Sequence, residues 1–177
     1  MTFEGIQSDL PTLIISECCL CYLPIESAQN ILQWFRDKIP NLGIILYEPI
    51  GADDSFGQMM VENLAARGIV MPTVQKVKTL ADQEIRLKSL GFGRDDVEER
   101  EDERGTEAMT GTEAMSGTEA MSVERIWEEW IEAEEKQRVD ALEGLDEVEE
   151  WLLLARHYAV VWGWRGTVRF EGVGGGS

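Results

Sequence analysis

Two apolar runs of strand length, PTLIISE at residues 11–17 and NLGIILYEPI at 41–50, constrain this chain more than any other feature. Each is entered through a proline or asparagine, is rich in Ile and Leu, and closes on an acid. Continuous apolar runs of this length are the signature of strands buried on both faces, as in parallel sheets. Between them, PIESAQNILQWFRDKIP spaces Ile31, Leu32 and Phe35 along one helical face, with Ser27 as a candidate cap and Pro40 as a stop. Strand, helix and strand at this spacing predict a βαβ unit and an α/β fold.

Further along, DSFGQMMVENLAARGI predicts an amphipathic helix with Phe56, Met59, Met60 and Leu64 on one side and Gly68 as its stop. TLADQEIRLKSLGF predicts another, with Leu80, Ile85 and Leu87 on its stripe. From Val123 the helical pattern returns through Ile126, Trp127, Trp130 and Ile131, and again over GLDEVEEWLLLARHY with Leu145, Val148, Leu152 and Ala155 or Leu154. YAVVWGWRG has strand composition, and TVRFEGV is expected to return as its hairpin partner around Arg165 and Gly166.

Residues 105–122 read GTEAMT, GTEAMS, GTEAMS, behind the charge run DDVEEREDER. Each hexad offers one Ala and one Met, too little apolar surface for a stacking repeat. A low-complexity loop expansion without a fixed structure is expected. The organisation that follows has four parts. Residues 1–93 form the βαβ part with covering helices, 94–122 an acidic low-complexity insertion, 123–172 C-terminal helices and a hairpin of the same domain, and 173–177 a flexible GGGS-type tail.

The net charge of −18 is concentrated in that middle region: residues 94–150 hold 22 of the 34 Asp and Glu but 6 of the 16 Lys and Arg. An acidic surface repels phosphate backbones and anionic lipid, so neither nucleic acid nor a membrane is an expected partner. The N-terminus lacks a basic region ahead of a short apolar stretch broken by Ser16 and Glu17, which argues against a signal peptide or a membrane span. Three clustered cysteines suit a reducing compartment, and a cytoplasmic location is expected.

Those cysteines, in SECCLCY at 16–22, lack a CxxC pair, and neighbouring positions on a strand end point in opposite directions. Neither a metal site nor a thiolate redox site is expected; packing beneath the sheet is. Glu17 is different, since ligands of open α/β sheets bind just outside the carboxyl ends of strands. Glu48 occupies the matching place on the next strand, and the two acids together mark a possible crevice. No Ser-His-Asp order or glycine phosphate loop is present, and Gly91 and Gly93 are followed by acids. Arg156 and His157 either touch a carboxylate or complement a helix dipole.

PTLIISECCLCYLP, ILYEPIGADDSFGQMMVENL and RVDALEGLDEVEEWLLLARHYAVVWGWRG, in this order, resemble the C-terminal half of the leucine carboxyl methyltransferase family. The resemblance covers most of the chain outside roughly residues 94–122. It implies a Rossmann-like class I fold and S-adenosylmethionine as cofactor. The implied reaction is methyl esterification of the C-terminal leucine of the protein phosphatase 2A catalytic subunit. It also implies a cofactor contact at Glu17 and a place for Tyr22 on the side where the leucine carboxylate lies. It assigns no catalytic residue, because the attacking carboxylate is already ionised near neutral pH. A monomer acting on the phosphatase tail is expected. The family's N-terminal half, with its glycine-bearing cofactor loop, has no counterpart here, so the chain by itself is expected to be an inactive or nearly inactive, incomplete form. The alternative is a non-catalytic phosphatase-binding remnant or regulatory protein.

Overall fold

In the computed structural model, residues 7–92, 117–142 and 148–166 are described. The βαβ unit forms as the apolar spacing requires: β1 spans Thr12–Glu17, α1 Ile25–Lys38 and β2 Leu42–Pro49, with β1 and β2 parallel. A 3-10 turn at Leu20–Tyr22 links β1 to α1. Pro24 stands at the N-cap of α1, just outside the helix, and no side chain caps it, so Ser27 is an interior residue rather than the cap. Glu26 in its first turn and Arg36 and Lys38 in its last complement the helix dipole. Its buried residues are Ala28 and Leu32, whereas Ile31 stays 40% exposed.

Helix α2 spans Ser55–Ala65 and α3 spans Leu80–Ser89. The Asp54 side chain caps α2 by accepting from Gly57 N at 2.8 Å. Thr79 and Asp82 close a reciprocal capping box at the start of α3. The stripe on α3 differs from the expected one: Gln83, Arg86 and Leu87 are buried, while Ile85 is 63% exposed. The helix turned so that a buried charge on the sheet could meet Arg86.

The remaining elements are β3 (Thr118–Ser122), α4 (Val123–Glu129), α5 (Ala133–Leu142), α6 (Val148–Arg156) and β4 (Tyr158–Arg165). The sheet order is β1-β2-β4-β3, with β4 antiparallel to both of its neighbours. Strand β4 is the inner strand between β2 and β3; Ala159, Val161, Trp162, Gly163 and Trp164 are all buried, which demands cover on both faces and a neighbour on both edges. The expected return strand at 167–173 lies outside the described residues.

One expectation is corrected at the repeats. The last hexad belongs to the sheet, as Thr118 pairs with Gly163 and Ser122 with Ala159, so Thr118–Ser122 is a strand and not part of a structureless insertion. Alternation carries Ala120 to one face and Met121 to the other, and both are buried. The earlier hexads and the acidic run before them lie outside the described residues, as does the tail at 173–177.

The sheet has two unlike faces. Ile44, Leu46, Ala159, Val161 and Ala120 pack with Leu32, Leu87 and Phe92 against α1 and α3. Gly163 fits closely there, since a Cβ would lie 3.1 Å from Phe92 Cβ. On the opposite face Met121, Trp162 and Trp164 pack with Ile45, Ile126 and Trp130, so α4 covers the β3–β4 side. Toward β1 that cover runs out: Leu13 is 47% and Ile15 69% exposed, and among the described residues no strand pairs with the outer edge of β1.

Candidate ligand site at the strand ends

Glu17 is the last residue of β1, and the chain leaves it abruptly. Cys18 takes φ 42°, the left-handed region that a non-glycine residue enters at a cost of roughly 1–2 kcal/mol. Its N–H is anchored to Tyr47 O at 2.8 Å, which extends the ladder one step past the strand. The turn leaves the Glu17 carboxylate exposed beyond the sheet's carboxyl end.

Register decides the neighbours. Glu17 pairs with Tyr47, so these two side chains share a face, and Tyr158 at the start of β4 joins them. The Tyr47 and Tyr158 rings stack at 5.2 Å with an interplanar angle of 14°. Burial raises both phenols above the ordinary tyrosine value; negative charge at Cys18 adds to each, and Glu17 adds to Tyr47. Tyr22 is 44% exposed, and its phenol is raised first by burial and then by Cys21 and Cys18. Glu17 and Tyr22 thus lie at the same end of the sheet. Beside Tyr158, a cleft of ≈ 290 Å³ opens between α2 and α6, lined by Phe56, Met59, Met60, Leu64 and Leu154.

Glu48 does not join this site. One residue past the partner of Glu17, it points to the opposite face, where it is 1% exposed. Its Oε2 accepts from Arg86 Nη1 at 2.8 Å and from Gln83 Nε2 at 3.4 Å. The expected two-acid crevice is therefore one acid facing outward and one consumed inside the core.

The cysteines divide as well: Cys21 is buried and Cys18 half-buried in a cluster with Ala52, Met71, Val74 and the α2 residues Met60, Val61 and Leu64 rather than with sheet residues, and Cys19 is exposed. Burial, followed by the charge of Glu48, pushes the Cys21 thiol up to about 12. The same two causes, with Glu17 third, raise Cys18. Both shifts disfavour the thiolate that metal binding or nucleophilic chemistry requires. Among the described residues no group of three or more His, Cys, Asp and Glu is arranged to hold a metal ion.

Arg156 forms an ion pair with Glu124 at 2.5 Å, and His157 is drawn inward. His157 is 4% exposed, with Nδ1 2.7 Å from Leu153 O and Nε2 2.8 Å from Asp54 Oδ2. The Asp54 carboxyl is held below the usual range, chiefly by the Gly57 N–H; burial opposes this, and the His157 hydrogen bond helps. Asp54, Tyr47 and Tyr158 were not singled out from the sequence. One signal was available for Asp54, which stands where an N-cap belongs, three residues before Gly57.

No protein-family model matches the chain. Curated relatives do. Over 97% of its length the chain is 42% identical to a protein of Emericella nidulans named leucine carboxyl methyltransferase 1, of which it covers 41%. Proteins of the same name from Aspergillus fumigatus and Yarrowia lipolytica are 43% and 42% identical over 91% and 89% of this chain, which covers 36% and 42% of them. The chain spans about two fifths of the length of the curated relatives it matches.

Proposed function

The chain is a relative of the leucine carboxyl methyltransferases, and on that premise we propose that it is the C-terminal part of an S-adenosylmethionine-dependent, Rossmann-like methyltransferase. The substrate in this reading is the C-terminal leucine carboxylate of the protein phosphatase 2A catalytic subunit. The observation that carries it is Glu17, held at the carboxyl end of a parallel strand by the strained turn at Cys18, where ligands of α/β sheets bind. Among the described residues no strand pairs with the outer edge of β1, and Leu13 and Ile15 are exposed, which supports a sheet that continues in the whole enzyme.

The residues suit such a cofactor. An exposed carboxylate accepts hydrogen bonds from hydroxyl and ammonium groups, and the neighbouring phenol rings favour a cationic ligand over an anionic one. When bound, S-adenosylmethionine would supply a methyl group on a positively charged sulfur, transferable to a carboxylate with the neutral thioether as leaving group. No protein base has a proton to remove, so the chain's own contribution is to bind, orient and keep water out. In this reading Glu17 fixes the cofactor, Tyr22 donates to the leucine carboxylate, and the Tyr47–Tyr158 stack forms a rigid wall.

Calorimetric titration of S-adenosylmethionine into the purified chain, with a Glu17→Ala control, tests the proposal. Binding that the substitution abolishes is expected. A folded chain that binds no cofactor would reject the cofactor role of Glu17 and favour the phosphatase-binding alternative. Methyl transfer at an ordinary rate by this chain alone would overturn the incomplete-form reading.

A further inference from the structure

We propose that the cleft between α2 and α6 is a peptide-docking groove, which takes an extended apolar segment carrying an acid that Arg67 receives. One wall is a helical stripe. Phe56, Met59, Met60, Asn63 and Arg67 recur at spacings of three and four residues, so they share one face of α2 and of the turn that ends it. Met59 on this wall is 59% exposed and Leu154 on the facing one 46%, so both walls present apolar surface to solvent. Methionine adapts to irregular apolar partners, and such a wall suits a peptide better than one rigid ligand.

Charge selects the occupant. In a chain of net charge −18, no carboxylate lines this cleft. Arg67 has no ion pair among the described residues, and no acid stands three or four positions from it in the sequence. Its guanidinium is therefore available to a carboxylate from outside, which it can hold by two N–H groups at once. At the other end Phe56 packs on His157, and the next residue, Tyr158, lines the cleft while stacking on Tyr47 beside Glu17. The groove thus leads away from the strand-end site, and its assignment to a substrate tail rests on the proposed function. From Phe56 to Arg67 a rise of about 1.5 Å per residue gives roughly 16 Å, or about three to five extended residues once the reach of the arginine stem is allowed for. The groove fits the residues just upstream of a C-terminal carboxylate, apolar near the terminus and with an acid about three to five places before it.

Fluorescence anisotropy with a dye-labelled peptide, Asp-Ala-Phe-Ala-Phe-Leu with a free C-terminus, tests the groove on the purified chain without cofactor. Saturable binding is expected, weakened about tenfold by Met59→Asp and by Arg67→Glu. Both residues are exposed, so neither substitution threatens the fold. Exchanging the peptide's Asp for Lys is expected to weaken binding to the parent and to restore it to Arg67→Glu. A swap without that rescue would overturn the role of Arg67, and equal affinity of the parent and Met59→Asp would overturn the groove. Self-association that Met59→Asp abolishes, in a chain that ignores the peptide, would give the cleft to a second copy and reject the proposal. Amidating the peptide's C-terminus separates this inference from the proposed function. Affinity that amidation leaves unchanged, with the charge swap intact, counts against a carboxylate site beside Glu17 and Tyr22 and upholds the groove.

Discussion

The ends of β1 and β2 look alike in sequence and behave as opposites in the fold. Both are apolar runs that close on an acid, yet Glu17 stands free in solvent beside two tyrosines, and Glu48 is sealed among α3 side chains with Arg86. The difference is one residue of register. Glu17 pairs with Tyr47, and since side chains alternate across a strand, the next residue points the other way. An acid at a strand end can therefore serve a ligand or hold the core together, and parity selects which.

Arg86→Ala tests the sealed end hardest. It leaves Glu48 buried without its counter-charge, and a loss of about 3–5 kcal/mol in urea unfolding is expected. A loss below 1 kcal/mol would mean that Glu48 reaches water and that the two ends are not so different. The pair itself is incompletely satisfied, since among the described residues Glu48 Oε1 and Arg86 Nε and Nη2 have no hydrogen-bond partner. The double replacement Glu48→Leu with Arg86→Met is accordingly expected to match or exceed the parent stability, by up to about 4 kcal/mol. A double variant as unstable as Arg86→Ala would show that the ion pair is net stabilising.

The crossing that follows β2 is the next most sensitive place. A Cβ on Gly57 would sit 2.0 Å from Gly51 O, against backbone, and Gly57→Ala is expected to cost about 1–3 kcal/mol. Asp54→Ala removes the cap of α2 at about 1 kcal/mol. Because the folded state lowers the Asp54 carboxyl, its contribution is complete above the ordinary carboxylate range and fades as pH falls through the lower folded value. The parent should therefore lose its advantage over the variant in acid, as paired unfolding curves would reveal; a constant difference down to the lowest pH would refute this. The smallest effect is reserved for the open end: Glu17→Ala is expected to change stability by less than about 0.5 kcal/mol while abolishing cofactor binding. A large loss of stability there would erase the contrast between the two acids.

The parts of the fold that could be read in advance are those with local causes. β1, α1 and β2 follow from apolar spacing, and Gly68 ends α2's last turn with φ 76° as a stop glycine should. The errors have non-local causes. Ile85 fits a helical stripe as well as Arg86 does, but the charge of Glu48, 38 residues earlier, turned α3 toward the arginine. The hexad at 117–122 reads as part of a low-complexity repeat, and its five strand residues are fixed by register against β4 rather than by a local rule. Asp54 and His157 are 103 residues apart and carry no pattern that joins them.

By itself the sequence determined an α/β chain with a βαβ unit, an acid at the carboxyl end of its first strand, and a negative charge gathered in one region. Periodicity and composition act over a few residues and survive any arrangement of the pieces. Tertiary structure alone decided that β4 lies inside the sheet, that Glu48 turns away from Glu17, and that a lone histidine joins α6 to the start of α2. Those outcomes depend on register and on which surfaces meet, and both are settled only when distant segments bury one another.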